Sequence, residues 1–246
     1  MTDRRAEIEI ALSEVRDRIA TACRAVGRSA DTVRLIAVTK TFPASDAAVL
    51  TDLGVSDLGE NREQEAGPKV VDLRELRPDI NPRWHMLGHL QRNKARAVAR
   101  WASEIQSVDS ERLVDALDKA VRAARDAGER DAERGAELDV LLQVSIDGDP
   151  TRGGAPVDTL MQLADRVAHS GELQMRGLMA VAPLGMAPDE AFARLAEAAL
   201  RVREDHPQAT EVSAGMTGDL ESAIAHGSTC VRVGTALLGR RGLASP

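Results

Sequence analysis

Val33-Arg34-Leu35-Ile36-Ala37-Val38, followed by Thr39-Lys40, is the stretch whose reading decides the fold. A short, β-branched and almost wholly apolar run marks a strand buried on both faces of a parallel sheet. Before it, residues 3–26 carry Ile8, Leu12, Val15 and Ile19 at spacings of three and four among charged residues, an amphipathic helix ended by Gly27. After it, apolar runs at 55–59, 83–88, 104–108, 138–145, 173–181, 209–213 and 229–233 alternate with helical patterns. Those helices are expected near 44–53, 61–76, 91–101, 110–127, 156–169, 188–204 and 218–226, with a short one from Thr235. Parallel neighbours need a long return connection, so strict alternation means crossover units. Eight units with no second block of strands favour a closed barrel, and no G-x-G-x-x-G follows the first strand to argue for an open sheet. The expected fold is a (β/α)8 TIM barrel with an additional N-terminal helix, one domain over residues 1–246.

Composition bounds the function. The chain has 246 residues, enough for one barrel or for two ordinary domains, and its 43% apolar and 29% charged residues are those of a globular protein. A net charge of −7 argues against a nucleic-acid partner. Cys23 and Cys230 are far apart and form no CxxC pair, which suits a reduced, cytoplasmic setting; both are expected in the core or at neutral surface positions. The N-terminus lacks an apolar leader and no long apolar stretch occurs, so no membrane role is expected. No His, Cys, Asp and Glu cluster has metal-ligand spacing, and no G-x-S-x-G or Walker pattern appears. The loop at 127–135, rich in Gly, Glu, Asp and Arg, is expected to be solvated, and the Gly-rich stretch 147–154 to be a flexible surface loop.

Lys40 stands at the carboxyl end of the first strand, the face on which barrels build their sites. A partly desolvated ammonium there would have its pKa lowered and could attack an aldehyde, although position alone favours a solvated lysine. The C-terminal part of the chain favours the first reading. Ser213-Ala214-Gly215-Met216-Thr217-Gly218-Asp219 leaves the seventh strand as a small-residue loop running into a helix, and Arg232-Val233-Gly234-Thr235 ends the eighth. Either loop alone fits ordinary helix capping, the commoner use of Ser, Thr and Gly, but together they expose backbone N–H groups to an anion where barrels often bind phosphate, after strands seven and eight. A closed barrel makes these loops neighbours of Lys40, an arrangement suited to a phosphorylated aldehyde. Arg232 either faces the ring nitrogen of such a molecule or binds its phosphate.

On these residues the chain resembles the pyridoxal phosphate homeostasis protein family, whose barrel is like the N-terminal domain of alanine racemase. The resemblance is carried by Leu35–Lys40, Gly59-Glu60-Asn61-Arg62-Glu63-Gln64-Glu65, Trp84–Lys94, Gly177–Pro183, Ser213–Asp219 and Arg232–Thr235, nearly the whole chain. It implies pyridoxal 5'-phosphate held as a Schiff base on Lys40, with Asn61 beside the cofactor. It further implies Ser213, Gly215, Thr217, Gly234 and Thr235 around the phosphate and Arg232 at the pyridine nitrogen. The chain departs from the family in Ala214 where Met is common, in Thr217 where Ser is common, and in a longer loop at 127–135. Thr217 keeps the hydroxyl, so phosphate binding survives the change.

The remaining histidines are read locally. His85 either points toward the ring or is a satisfied core residue. His89 opens the basic segment 91–96, expected to be a solvated helix face, His226 is expected to cap a helix, and His169 and His206 are expected to be exposed. Two roles share the Lys40 bond: a carrier that buffers or delivers the cofactor to apo enzymes, and an amino-acid racemase. The related racemases use a tyrosine supplied by an added β domain of the partner subunit. This chain has no Tyr and ends at Pro246 soon after the eighth strand, so the resemblance implies a monomeric carrier with no catalytic residues.

Overall fold

Each apolar run forms the strand expected of it: β1 Arg34–Val38, β2 Asp57–Glu60, β3 Arg83–Met86, β4 Glu104–Val108, β5 Leu138–Ser145, β6 Leu173–Met179, β7 Glu211–Ser213 and β8 Cys230–Val233. The computed structural model describes residues 2–130, 137–149 and 153–239. Every strand pairs in parallel with the next, and β8 returns to β1 in the register Arg34↔Cys230 to Ala37↔Val233, which closes the barrel. A two-residue strand, Ala155–Pro156, extends the end of β5 by pairing with Val144 and Ser145. No pattern among the residues announces it, because so short a run has no periodicity to read.

The outer layer consists of α1 Thr2–Ala25, α2 Ala44–Asp52, α3 Glu63–Leu76, α4 Ala95–Val98, α5 Glu111–Asp126, α6 Leu160–Ala168, α7 Pro188–Asp205, α8 Leu220–Ala225 and α9 Thr235–Leu238. The additional helix α1 lies against α2, α8 and α9, over the junction where β8 meets β1. It buries Ile8, Leu12, Val15 and Ile19, the residues of its apolar stripe. Full burial of each side chain contributes about 1.5–3 kcal/mol. Among the described residues no helix is long and apolar enough to cross a membrane, and no group of His, Cys, Asp and Glu is arranged to hold a metal ion.

Inward-facing strand residues fill the lower barrel with charge. Arg34 donates to Glu211 at 2.5 Å, Glu104 at 3.0 Å and Asp57 at 3.3 Å. Asp139 accepts from Arg83 and from Arg176, each at 2.8 Å. His85 is buried between Asp57, 2.8 Å from Nε2, and Glu104, 3.1 Å from Nδ1. It is thus a satisfied core histidine. Burial opposes its charge, but Glu104 and the bonds to Asp57 and Glu104 outweigh that and raise its pKa. Burial likewise opposes ionisation of Glu104 and Asp57, and His85 with Arg34 overrides it and lowers both.

Two expectations about surface residues are corrected. His206 is buried, because the end of α7 turns it onto α6, where Nε2 lies 3.0 Å from Asp165. Within the loop expected to be solvated, Arg130 is buried and donates to the carbonyls of Ala99, Ala102 and Glu137, pinning the approach to β4 and β5. The rest of that loop from 131, and residues 150–152 of the Gly-rich stretch, lie outside the described residues. His169 is exposed, and His226 caps α8 with Nδ1 2.9 Å from the Ser222 carbonyl oxygen. Cys23 and Cys230 are both buried and free, and burial pushes the Cys230 thiol up to about 11.

Candidate functional site

The carboxyl ends of β1 and β8 lie side by side because the barrel closes between them, and there a cavity of about 320 Å3 opens. Lys40, Thr217, Arg232, Gly234 and Thr235 line it, with Val38, Phe42 and Met216 as apolar walls. Its volume falls in the range of small-molecule sites, about 300–1,000 Å3. Residues separated by almost two hundred positions in the chain thus share one hollow.

Lys40 is exposed, so the partial desolvation expected of it is not supplied by the protein's own packing. Among the described residues no carboxylate pairs with it, and its ammonium is open to the cavity. What fixes it is the residue before it. The Thr39 side chain is buried and donates to Glu60 Oε1 at 2.6 Å, while buried Lys69 of α3 donates to the Thr39 carbonyl at 2.7 Å and to Glu60 Oε1 at 2.5 Å. Burial pushes the Glu60 carboxyl up, against Lys69 and Thr39, which pull it down. The residue after Lys40 is Thr41, whose φ of 67° turns the chain sharply at the mouth. Sequence reasoning missed Lys69. A lysine in the middle of α3 has only solvent as its expected partner until the helix is packed.

The two C-terminal loops meet through Thr217, whose hydroxyl accepts the Ala236 N–H at 3.3 Å and keeps its own proton for donation. Arg18 of α1 supports this loop from outside, donating to the Thr217 carbonyl at 2.9 Å and to Glu221 at 2.7 Å. Gly215 has a φ of 94°, and a Cβ there would lie 2.7 Å from the Ala223 Cβ, so only glycine lets the loop fold onto α8. Gly234 brings backbone close to β1, where a Cβ would lie 3.1 Å from the Val38 carbonyl oxygen.

Ser213 sits below the cavity. Its side chain is fully buried, donates to Gln106 Oε1 at 2.7 Å and accepts from Arg232 Nη1 at 2.6 Å. Arg232 Nη2 donates to the Ala180 carbonyl at 2.8 Å. Among the described residues the guanidinium's hydrogen bonds therefore go to neutral oxygens, with the Asp219 carboxylate near enough to act on its charge without bonding it. Burial lowers its pKa, yet an arginine stays charged in a protein. Asn61, half-buried at the end of β2, and Gly215 do not line this cavity. A larger hollow of about 920 Å3 opens on the same face between His89–Asn93 and Asp109–Leu113, and it contains none of the expected site residues. The basic segment 91–96 borders it, with Gln91, Arg92 and Asn93 exposed and Lys94 facing Glu63 at 3.5 Å.

Comparison with known proteins gives this arrangement a lineage. The sequence model described as "Alanine racemase, N-terminal domain" matches residues 10–242. The pyridoxal phosphate homeostasis protein of Mycobacterium tuberculosis is 48% identical, covering 99% of this chain and 96% of its own. Among solved structures, a protein of unknown function from Bifidobacterium adolescentis superposes with a TM-score of 0.86 at 31% identity, covering 96% of each chain. PipY of Synechococcus elongatus, solved with PLP bound, gives 0.75 at 32% identity, over 94% of this chain and 100% of that one. The similarity runs across nearly the whole length, and the chain belongs to the pyridoxal phosphate homeostasis protein family, built on the alanine racemase N-terminal fold.

Proposed function

We propose that this protein binds pyridoxal 5'-phosphate at the β1/β8 mouth and serves its intracellular homeostasis, buffering the cofactor or delivering it to apo enzymes. One observation carries the reading: a single cavity presents an unpaired primary amine, Lys40, together with a buried guanidinium, Arg232, and the hydroxyls of Thr217 and Thr235. The donor set fits the group. An amine suits its aldehyde, and hydroxyls on two small-residue loops suit its phosphate. Lys40 would hold the group through its aldehyde as a Schiff base, with release of one water, and hydrolysis would free it again, so the bond would be a tether.

Each residue of the chain has a separate task in this reading. Lys69 and Glu60 hold Thr39, and so the backbone from which Lys40 projects. Thr217, Gly234 and Thr235 bind the phosphate, with Gly215 shaping their loop. Arg232 would face the ring nitrogen, where a permanent cation would keep that nitrogen unprotonated and weaken the electron withdrawal that pyridoxal chemistry requires. Asn61 approaches from β2. Ser213 acts from beneath, through Arg232, in place of the direct phosphate contact its sequence position suggested. The bound group would supply an electrophilic carbonyl; a tether needs nothing more of it.

The carrier role also agrees with a sequence that contains no tyrosine, the residue the related racemases use as second base. Two unpaired cysteines agree with a cytoplasmic setting. We further propose that the chain acts as a single-domain monomer, which sedimentation of the loaded protein checks. The decisive experiment reduces the cofactor-loaded protein with borohydride and maps the modified peptide. Modification at Lys40, and its loss in Lys40→Ala, is expected; a label elsewhere refutes the assignment. Incubation with single L-amino acids is expected to leave their chirality unchanged, and racemisation that depends on Lys40 overturns the carrier role.

A further inference from the structure

Arg232 is linked to the charged floor of the barrel by two neutral side chains. Gln106 on β4 and Ser213 on β7 are fully buried and stand in series between Arg232 and Glu104. The polarity of this chain is fixed at each link. Gln106 Nε2 donates to Glu104 Oε1 at 2.6 Å, and the opposite amide orientation would set a carbonyl oxygen against a carboxylate. Gln106 Oε1 therefore points at Ser213 and takes its only hydroxyl proton at 2.7 Å. The Ser213 oxygen is left as an acceptor, which Arg232 Nη1 fills at 2.6 Å. Glu104 is itself held by Arg34 and His85 and has no freedom to turn.

We infer that Gln106 is a positioning residue for the cofactor site: acting through Ser213, it fixes the Arg232 guanidinium at the cavity while keeping the Glu104 carboxylate out of its reach. A direct ion pair would orient the arginine equally well but would neutralise the charge it presents. A glutamine and a serine orient it and leave its charge directed at the ligand. A buried network with every member satisfied also holds one geometry, whereas loss of one link frees the next to rotate. This inference rests on the pyridoxal phosphate reading and adds to it a residue that touches neither the cavity nor any ligand.

The test is a double-mutant cycle on the full-length protein with two probes, pyridoxal 5'-phosphate and pyridoxine 5'-phosphate, which has no aldehyde and reports ring and phosphate contacts without Lys40. Gln106→Met is expected to weaken pyridoxine 5'-phosphate binding about ten-fold, yet less than about two-fold in an Arg232→Gln background, because coupled residues are non-additive. With pyridoxal 5'-phosphate, the pH profile of the Schiff-base absorption band is expected to move in the same direction in Gln106→Met and in Arg232→Gln. Gln106→Glu, which sets a carboxylate one hydroxyl from Arg232, is expected to behave like Gln106→Met. Ser213→Ala breaks the same chain at its next link with little change in volume, and decides the matter if the Gln106 variants do not fold. Equal effects of the substitution in both backgrounds, or an unmoved pH profile, overturn the inference. A wild-type protein that carries no borohydride-fixable cofactor on Lys40 overturns the underlying reading instead, so the two failures are told apart.

Discussion

The floor and the mouth of this barrel are both rich in charge, and they treat it in opposite ways. At the floor every cation meets an anion: Arg34 meets Asp57, Glu104 and Glu211, Arg83 and Arg176 meet Asp139, and His85 meets Asp57 and Glu104. At the mouth, Lys40 has no ion pair among the described residues, and Arg232 is held by a hydroxyl and a carbonyl. A paired charge inside a protein is spent on holding the fold, while an unpaired one at a cavity keeps its field for a ligand. Charge content therefore does not locate the site; cations of the barrel interior that make no direct ion pair among the described residues do.

The contrast is broken most completely by removing the free amine. Lys40→Ala is expected to abolish covalent retention of pyridoxal 5'-phosphate, read as loss of the absorption band after gel filtration. Its unfolding free energy is expected to change by less than about 0.5 kcal/mol, because the side chain is exposed and makes no ion pair among the described residues. A large loss of stability would mean that the lysine belongs to the structural charges after all.

The reverse behaviour is expected just behind the mouth. Lys69→Met strands the buried Glu60 carboxyl and should cost about 3 kcal/mol in urea unfolding. Adding Glu60→Leu to the same chain should restore part of that loss. If the double variant is no more stable than the single one, the pair is not the unit it is described as.

At the floor, the pH sign can be read directly. His85 has a raised pKa in the folded state, so its contribution is fully present below the unfolded value near 6.5 and is lost as pH rises through the folded value. Glu104 and Asp57 have lowered values, so theirs are present above the usual carboxylate range and are lost in acid. His85→Gln is expected to cost roughly 1–3 kcal/mol near pH 6 and less near pH 9, measured by denaturant midpoints in the two buffers. An equal cost at both pH values would show that the histidine is uncharged in the fold.

Two smaller effects sharpen the mouth. Thr217→Ala should weaken pyridoxine 5'-phosphate binding by about ten-fold, through lost donation to phosphate, while Thr217→Ser should leave it within about two-fold. Arg18→Ala removes an exposed pair with Glu221 and the bond to the Thr217 carbonyl. It should cost at most about 1 kcal/mol of stability, with a change in affinity smaller than that of Thr217→Ala.

Local pattern was enough to place the strands, most helices and Lys40 at the end of β1, because strand and helix periods are written in neighbouring residues. It was enough, too, to place Ser213–Asp219 and Arg232–Thr235 at the carboxyl ends of their strands, where each runs into a short helix. Closure of the barrel decided the rest. Whether Ser213 faced a phosphate or Arg232, whether His85 lay at the ring or at the floor, and that Lys69 rather than solvent steadied Thr39 all depended on partners 9 to 107 positions away. Hydrogen bonds act over a few ångströms of space, and the sequence orders residues only along the chain. Lys40 could therefore be singled out by its address, while the two neutral side chains that hold its neighbour Arg232 apart from Glu104 came together only when β4, β7 and β8 were brought around one interior.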